Sequence, residues 1–286
     1  MKYLRNEPLK KHTSFHIGGN ADYFCVPKNA AELKAALLFA HERKLPIAVI
    51  GAGTNLLILD RGFRGLVIKL ANGPNRIKIQ GNKAWVGAGV LLPAWLMKAV
   101  HRGLGGLEFL AGIPGSVGGA VVMNAGAWGK EIGKYVERVK VVDGHGKEFT
   151  LNRKKLKFAY RKSILQKGKY IVLEIVFRLR KGKPKALKKR IAKFLQKRRS
   201  SQPLGIPNAG CIFKNPQRKY AGMLIEKAGC KGMRVGDAQV SSKHANFIVN
   251  LGEARARDVI RLMARMQKAV KIKLEPEIKL MVKSPL

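Results

Sequence analysis

Two glycine-rich segments constrain this chain more than any other feature. The second and longer one is Gly112-Ile113-Pro114-Gly115-Ser116-Val117-Gly118-Gly119, which runs on into Met123-Asn124-Ala125-Gly126. The first is Gly51-Ala52-Gly53-Thr54-Asn55, preceded by the apolar run Ile47-Ala48-Val49-Ile50. Glycine lets backbone approach a neighbour closely and accepts positive φ, because no Cβ intervenes. Bare amides in such loops form concavities that suit phosphate. Two of them in one chain predict a long, phosphorylated ligand held at more than one point. The first loop leads into Leu56-Leu57-Ile58-Leu59, a second strand and not a helix. A dinucleotide fold of the Rossmann type needs strand, GxGxxG and then helix, so that architecture is excluded.

The chain has 286 residues, enough for two domains with their own cores. No apolar run is long enough to cross a bilayer, and the N-terminal residues lack the apolar core of a secretion signal. A soluble, cytoplasmic protein is expected. Cys25, Cys211 and Cys230 are odd in number and have no paired spacing, which argues against a disulfide framework and a zinc site; no metal is expected. The charge is abnormal: 57 Lys and Arg stand against 17 Asp and Glu, a surplus of +40. Three readings compete. These are a nucleic-acid binder, an enzyme with several anionic ligands, and a surface made basic for reasons unrelated to activity, as in an engineered sequence. The basic residues are spread along the chain and not gathered in one place, which favours the third. Nonspecific polyanion binding is then a side effect, and like-charge repulsion favours a monomer.

Hydrophobic periodicity sets the organisation. Residues 30–44 read as a helix with Leu33, Ala36, Leu37 and Ala40 on one face, ended by Pro46. Residues 76–90 alternate as strands and 91–102 read as a helix. Val136–Val142, Glu148–Leu151 and Ile171–Leu179 are expected as strands of a mixed sheet. Residues 184–199 are an amphipathic helix with Leu187, Ile191, Phe194 and Leu195 as its apolar stripe and almost only Lys and Arg elsewhere, which reads as a solvated linker. After a boundary at Ser200–Gly205 come a helix over 219–228 and another near 254–271, the latter with Val259, Met263, Met266 and Val270 on one face.

Four places could carry chemistry. Arg161 lies in the polar turn Tyr160-Arg161-Lys162-Ser163, where a lone arginine in so basic a chain is ordinarily surface. Cys211 lies in Asn208-Ala209-Gly210-Cys211-Ile212-Phe213-Lys214-Asn215-Pro216. It reads either as a small buried hydrophobe or as a thiol made more acidic by Lys214 and the general positive field. Glu277 is one of few acids and reads as an ion-pair partner or a functional carboxylate. His244 is a ligand contact or a satisfied loop histidine.

Taken with the glycine loops, these segments resemble the UDP-N-acetylenolpyruvoylglucosamine reductase family, flavoenzymes of peptidoglycan precursor synthesis. The resemblance begins at His12-Thr13-Ser14-Phe15-His16-Ile17-Gly18-Gly19-Asn20-Ala21 and passes through both glycine loops and Tyr160–Ser163. It then takes in Asn208–Pro216 and Leu274-Glu275-Pro276-Glu277, covering nearly the whole chain in order. The glycine loops alone would indicate only a flavin domain of the vanillyl-alcohol-oxidase type; the C-terminal segments are the specific ones. The short C-terminal part resembles the shorter of the two family types.

The resemblance implies an α+β protein. Residues 1–182 would form an FAD-binding domain of two α+β subdomains, and 183–286 a C-terminal α+β substrate-binding domain. FAD would be held without a covalent link by Gly51, Ala52, Gly53, Thr54, Asn55 and Leu56. The second loop would add Gly112, Ile113, Pro114, Gly115, Ser116, Gly118, Gly119, Asn124, Ala125 and Gly126. NADPH would supply hydride, which passes to the enolpyruvyl group of UDP-N-acetylglucosamine-enolpyruvate to give UDP-N-acetylmuramate. Arg161 would stabilise the enolate-like intermediate, Glu277 would help polarise it, and Cys211 would donate the proton where the family pattern has serine. Tyr160, Lys214, Asn215, Lys227 and His244 would contact the substrate. Two alternatives stay open: another flavin oxidoreductase of this fold, and a basic nucleic-acid-binding protein on an inactive flavin scaffold.

Overall fold

The computed structural model describes residues 1–71 and 75–281. The first sheet has four strands in the order Leu4–Pro8, Asn20–Cys25, Phe63–Lys69, Ile47–Ile50. Asn20–Cys25 and Ile47–Ile50 run parallel to Phe63–Lys69, and Leu4–Pro8 lies antiparallel at one edge. Leu66, Val67 and Ile68 are consecutive and fully buried, as a central strand covered on both faces requires. Helix Ala30–Glu42 covers one face with Leu33, Ala36, Leu37 and Ala40, the stripe the periodicity predicts. It starts where the Asn29 side chain accepts the Glu32 N–H at 2.9 Å.

The second sheet has five strands in the order Glu148–Asn152, Val136–Val142, Ile171–Arg178, Lys83–Gly87, Ile77–Gln80. Every pairing in it is antiparallel, not mixed as the sequence suggested. Val136–Val142 returns into Glu148–Asn152 through a short turn in which the Asp143 carboxylate accepts the His145 and Lys147 amides. Such a turn joins antiparallel neighbours, whereas a parallel pair would need a long crossover. Trp95, Phe109 and Phe177 fill the core on this sheet, with Trp95 and Phe177 stacked at 5.7 Å.

Helix Pro184–Ser201 is not a solvated linker. Leu187 and Ile191 enter the core of the second sheet, Phe194 and Leu195 pack at its margin, and the buried Glu108 carboxylate accepts from Arg190 at 3.3 Å. Its apolar stripe was legible; its docking against residues far earlier in the chain was not.

The C-terminal sheet is antiparallel, in the order Asn208–Cys211, Phe247–Asn250, Ala238–Val240, Arg234–Val235. Helices Ala221–Lys227 and Ala256–Val270 complete the layer, the longer one burying Ala256, Val259, Leu262 and Met266. Leu262 takes the inner place expected for Met263, which packs at the edge with Val270. Phe15, Ile17 and Leu57 from the N-terminal half belong to this same core. Strand Lys279–Met281 also pairs in parallel with Leu56–Ile58. The C-terminal layer is therefore stitched into the first half at two places, which brings residues 55, 161, 211 and 277 into one neighbourhood. Among the described residues no helix is long and apolar enough to cross a membrane.

Candidate active site

The two glycine loops meet. The Thr54 hydroxyl donates to the Pro114 carbonyl at 3.2 Å, and a Cβ on Gly51 would overlap the Ser116 hydroxyl. Part of the close approach inferred from the glycines is thus protein against protein: Gly53 lies on the His12 carbonyl and Gly118 on Ala88. Gly115 differs, since at φ +139° its missing side chain faces only the Thr54 hydroxyl at 3.2 Å. Among the described hydrogen bonds, none takes up the backbone N–H of Ala52, Gly53, Thr54 or Asn55. Four consecutive free amides facing a second glycine loop form the kind of nest that holds a diphosphate, so these residues fit the nucleotide part of FAD. Leu56 instead begins the strand paired with Lys279–Met281. Ser116 caps the short helix Val117–Val122 by accepting the Gly119 N–H at 3.2 Å.

Asn124, expected at the cofactor, has no exposed surface. Its amide donates to the Ala159 carbonyl at 2.8 Å and the Glu131 carboxylate at 2.9 Å, and its oxygen accepts the Gly133 N–H at 3.0 Å. The side chain is fully occupied in holding the turn that carries Arg161. That turn is closed by reciprocal backbone bonds between Ala159 and Lys162, with Arg161 at φ +51°. Gln166 donates to the Arg161 carbonyl at 2.9 Å, and the Ser163 hydroxyl donates to the Val122 carbonyl at 2.6 Å. At Gly126 a Cβ would strike first the Lys130 carbonyl across the Gly126–Ala127/Lys130–Glu131 hairpin, and it would also stand 3.3 Å from an Arg161 Nη. Gly126 therefore serves its own hairpin and borders the Arg161 turn.

Arg161 donates through Nε to the Glu277 carboxylate at 2.5 Å, with both side chains mostly buried. The Glu277 backbone is fixed in turn: its N–H donates to the Ile212 carbonyl at 2.8 Å and its carbonyl accepts from the Asn55 amide at 3.2 Å. Burial pushes Glu277 above the usual carboxylate range, against the opposing pull of Arg161 and Lys214. Cys211 ends the strand Asn208–Cys211, where Gly210 at φ +77° and an irregular register turn the chain out of plain strand alternation.

The Cys211 thiol is not acidified. Burial pushes it up to about 12 and the Glu277 charge adds to this, outweighing Arg161, Arg198 and a hydrogen bond with Asn246. Lys214, expected to lower it, is tied to Glu275 at 2.5 Å instead.

Next to this cluster lies a cavity of about 460 Å³ lined by Tyr160, Gln166, Asn215, Pro216, Glu275 and four lysines, Lys162, Lys214, Lys273 and Lys279. The Tyr160 hydroxyl accepts the Asn215 N–H at 3.3 Å, and the Asn215 side chain accepts the Ala221 N–H at 3.0 Å. Lys227 is exposed at the end of its helix and does not line this cavity. Nor does His244, which accepts the Asn246 N–H at 3.2 Å and packs edge-on against Phe247. Burial lowers the His244 pKa, which favours a neutral ring.

Two residues escaped the sequence reading. Arg198 is 7% exposed, donates to the Ala111 carbonyl at 2.7 Å and lies against Gly112. Among the described residues it has no carboxylate partner, yet its charge bears on Cys211 and Arg161. A signal existed, since position 198 continues the stripe 187, 191, 194/195 and is the only charged residue on it. Asn246 is 2% exposed and exchanges two hydrogen bonds with the Phe213 backbone, at 2.8 and 3.0 Å. It sits two residues from the histidine that drew attention, and nothing in the sequence marked it. Among the described residues, no cluster of three metal-ligating side chains occurs.

Comparison with known proteins agrees with this arrangement. Residues 202–281 match the family model described as UDP-N-acetylenolpyruvoylglucosamine reductase, C-terminal domain, and residues 21–152 match an FAD binding domain. The chain is 48% identical to UDP-N-acetylenolpyruvoylglucosamine reductase 2 of Symbiobacterium thermophilum, covering 98% of this chain and 92% of that protein. It is 44% identical to the reductase of Lachnoclostridium phytofermentans over 96% of this chain and 91% of that one. The crystal structure of the reductase from Thermus caldophilus superposes with a TM-score of 0.86 at 40% identity, covering 98% of each chain. A cholesterol oxidase from Brevibacterium sterolicum, at 17% identity and a TM-score of 0.50 over 63% of this chain and 38% of that one, shares the fold alone. An α+β flavin-binding scaffold of the vanillyl-alcohol-oxidase type thus carries a C-terminal layer specific to one group of enzymes, and the chain belongs to the UDP-N-acetylenolpyruvoylglucosamine reductase family.

Proposed function

We propose that the protein is an NADPH-dependent FAD reductase that converts UDP-N-acetylglucosamine-enolpyruvate to UDP-N-acetylmuramate, a step of peptidoglycan precursor synthesis in the cytoplasm. The observation that carries the reading is the cluster of Cys211, Glu277 and Arg161 beside the lysine-lined cavity. FAD, held without a covalent link at the two glycine loops, would supply the hydride-carrying chemistry between NADPH and the enolpyruvyl carbon. The amides of residues 52–55 would hold its diphosphate, with the 112–119 loop beside them.

The remaining work falls to this chain's own side chains. Lys214, Asn215 and Tyr160 receive the UDP-sugar in the cavity, while Lys227 and His244 meet the part that extends beyond it. NADPH uses the same space in turn. Hydride arrival at the vinyl carbon drives electrons toward the substrate carboxylate. The Arg161 guanidinium, always charged and fork-shaped, stabilises that charge, and one such preorganised donor lowers a barrier by about 3–4 kcal/mol. Glu277 fixes the guanidinium and polarises the developing enolate. The Cys211 thiol then gives its proton to the neighbouring carbon, the one that bears the carboxylate, and is left as a thiolate to be reprotonated from solvent. A thiol held near 12 stays fully protonated at neutral pH, so the donor is always loaded. We assign residues 1–182 to flavin binding and 183–286 to substrate binding, with helix Pro184–Ser201 spanning the two by packing on the first core. The enzyme is taken to work as a monomer.

The test separates the two half-reactions. The purified protein should be yellow, with FAD as the released chromophore. Cys211→Ala should still let NADPH bleach the flavin at the wild-type rate. Reoxidation by the UDP-sugar should slow by about 100-fold or more, the usual contribution of a general acid. Equal slowing of both halves would remove Cys211 from the proton-donor role.

A further inference from the structure

Helix Pro184–Ser201 carries a feature that the reductase chemistry leaves unused. Lys185, Lys189, Lys193 and Lys197 recur every fourth residue, are all exposed, and have no acidic partner among the described residues. The row forms a single i, i+4 ridge, one cation about every 6 Å along the axis. The segment is depleted of acids: residues 151–200 hold 20 Lys and Arg and one acid, Glu174. Helices ordinarily intersperse acids at i, i+4 to offset such repulsion, and this one does not.

The ridge ends on an aromatic. Lys197 Nζ lies 5.2 Å from the centre of the Trp128 ring, and Trp128 stacks on Phe194 of the same helix at 6.1 Å. Trp128 is 45% exposed. It occupies the first position of the two-residue turn between Gly126–Ala127 and Lys130–Glu131, at φ +55°. That left-handed position normally takes Asn, Asp or Gly, and a bulky residue is disfavoured there. The fold asks for a small residue at the tip and receives a large, half-exposed indole. Phe194 and Lys197 hold part of the indole, and the rest of its surface stays open to a contact outside the chain.

A continuous run of unpaired cations leading to an exposed aromatic platform is the surface that recognises a single nucleic-acid strand. The cations follow the phosphates, and the ring stacks a base without regard to sequence. We propose that the ridge Lys185, Lys189, Lys193, Lys197 together with Trp128 is a binding site for a single nucleic-acid strand, separate from the lysine-lined reductase cavity. The chain's surplus charge of +40 gives a long-range pull toward any polyanion; the ridge and the indole give it a place and a preference for bases.

The experiment uses the FAD-loaded full chain and a fluorescein-labelled 20-mer of oligouridylate, read by anisotropy from 50 to 300 mM salt. The lysine-to-glutamine quadruple at 185, 189, 193 and 197 is compared with an equal-charge control at exposed Lys10, Lys11, Lys28 and Lys44. Each phosphate contact adds about 0.7 to the log–log salt slope for a single strand. The ridge variant should therefore lose about 3 from the slope, and the control less than about 1. Equal losses would mean that only net charge matters and would overturn the site. Trp128→Ala should weaken oligouridylate binding by about fivefold or more. Trp128→Phe should restore most of it, and inorganic polyphosphate, which has no bases, should bind all three alike. An alanine variant that binds both ligands as wild type does would overturn the stacking role. Unchanged flavin absorbance in every variant verifies that the fold is intact, and unchanged turnover of the lysine variant keeps the ridge distinct from the reductase cavity.

Discussion

Cys211 sits where two guanidinium groups and one carboxylate all bear on a single sulfur, and the balance goes to burial. Flanking residues suggested the reverse, because Lys214 and Asn215 stand beside it in sequence. In space Lys214 is neutralised by Glu275, and the nearest cations come from positions 161 and 198. The raised value has a linkage consequence. An unfolded thiol ionises near 8.5–9, whereas the folded one holds its proton to about 12. The folded state thus binds more protons than the unfolded state between those limits. The stabilisation is complete below about 9 and is lost as pH rises toward 12. Cys211→Ser has no such titration, while the equally raised Cys25 is common to both proteins and cancels. Denaturant unfolding should therefore show wild type losing roughly 2 kcal/mol relative to Cys211→Ser between pH 7.5 and 10.5. A difference that stays constant with pH would mean that the thiol is solvated.

At the level of elements, the decisive piece is the turn over Ala159–Lys162, which has no regular secondary structure to hold it. The end of the second glycine segment holds it instead, through Asn124, with Val122 accepting from Ser163 and Gln166. Asn124→Leu keeps the volume but leaves the buried Gly133 N–H without a partner and takes one donor each from the Glu131 carboxylate and the Ala159 carbonyl, the latter keeping only its bond from Lys162. This should cost about 2–4 kcal/mol of stability. Turnover of the loaded enzyme should fall at least about tenfold with FAD affinity within about threefold of wild type. The reverse pattern, weak FAD and normal turnover of loaded enzyme, would return Asn124 to the cofactor's own contacts. The same turn shows what could be read from sequence. The glycine loops, helix Ala30–Glu42 and the stripe of Pro184–Ser201 were legible because their signals are local: spacing, caps and 3.6-residue periodicity. Arg161, Cys211 and Glu277 were legible only as members of quoted motifs, since each alone reads as ordinary surface or core. Arg198 and Asn246 stayed hidden because their importance comes from what lies against them, Gly112 and the Phe213 backbone, and no window of sequence contains both partners. The insertion of Phe15, Ile17 and Leu57 into the C-terminal core was hidden for the same reason.

For the whole molecule, the surplus of +40 is a standing load on the fold. The acids present are used intensively: Glu137 alone meets Lys83, Arg138 and Arg178, and Glu148 meets Lys34 and Lys140. Most cations nevertheless have no partner to offset them, and repulsion summed over the surface disfavours the compact state. Salt screens that repulsion, with a Debye length of about 30 Å at 0.01 M and about 8 Å at 0.15 M. The pairs it would also weaken are partly exposed and individually worth little. Repulsion should therefore dominate the salt response, and the melting temperature should climb by several degrees between 10 and 300 mM sodium chloride in thermal scans. A falling melting temperature would mean that the few ion pairs outweigh the many unpaired charges. The lysine ridge sharpens the test. Replacing Lys185, Lys189, Lys193 and Lys197 with glutamine removes mutual repulsion along one helix. The variant should thus melt higher than wild type at 10 mM salt and converge with it at 300 mM. A ridge that lowers stability at low salt while carrying no acidic partner is what a surface kept for an anionic ligand would look like.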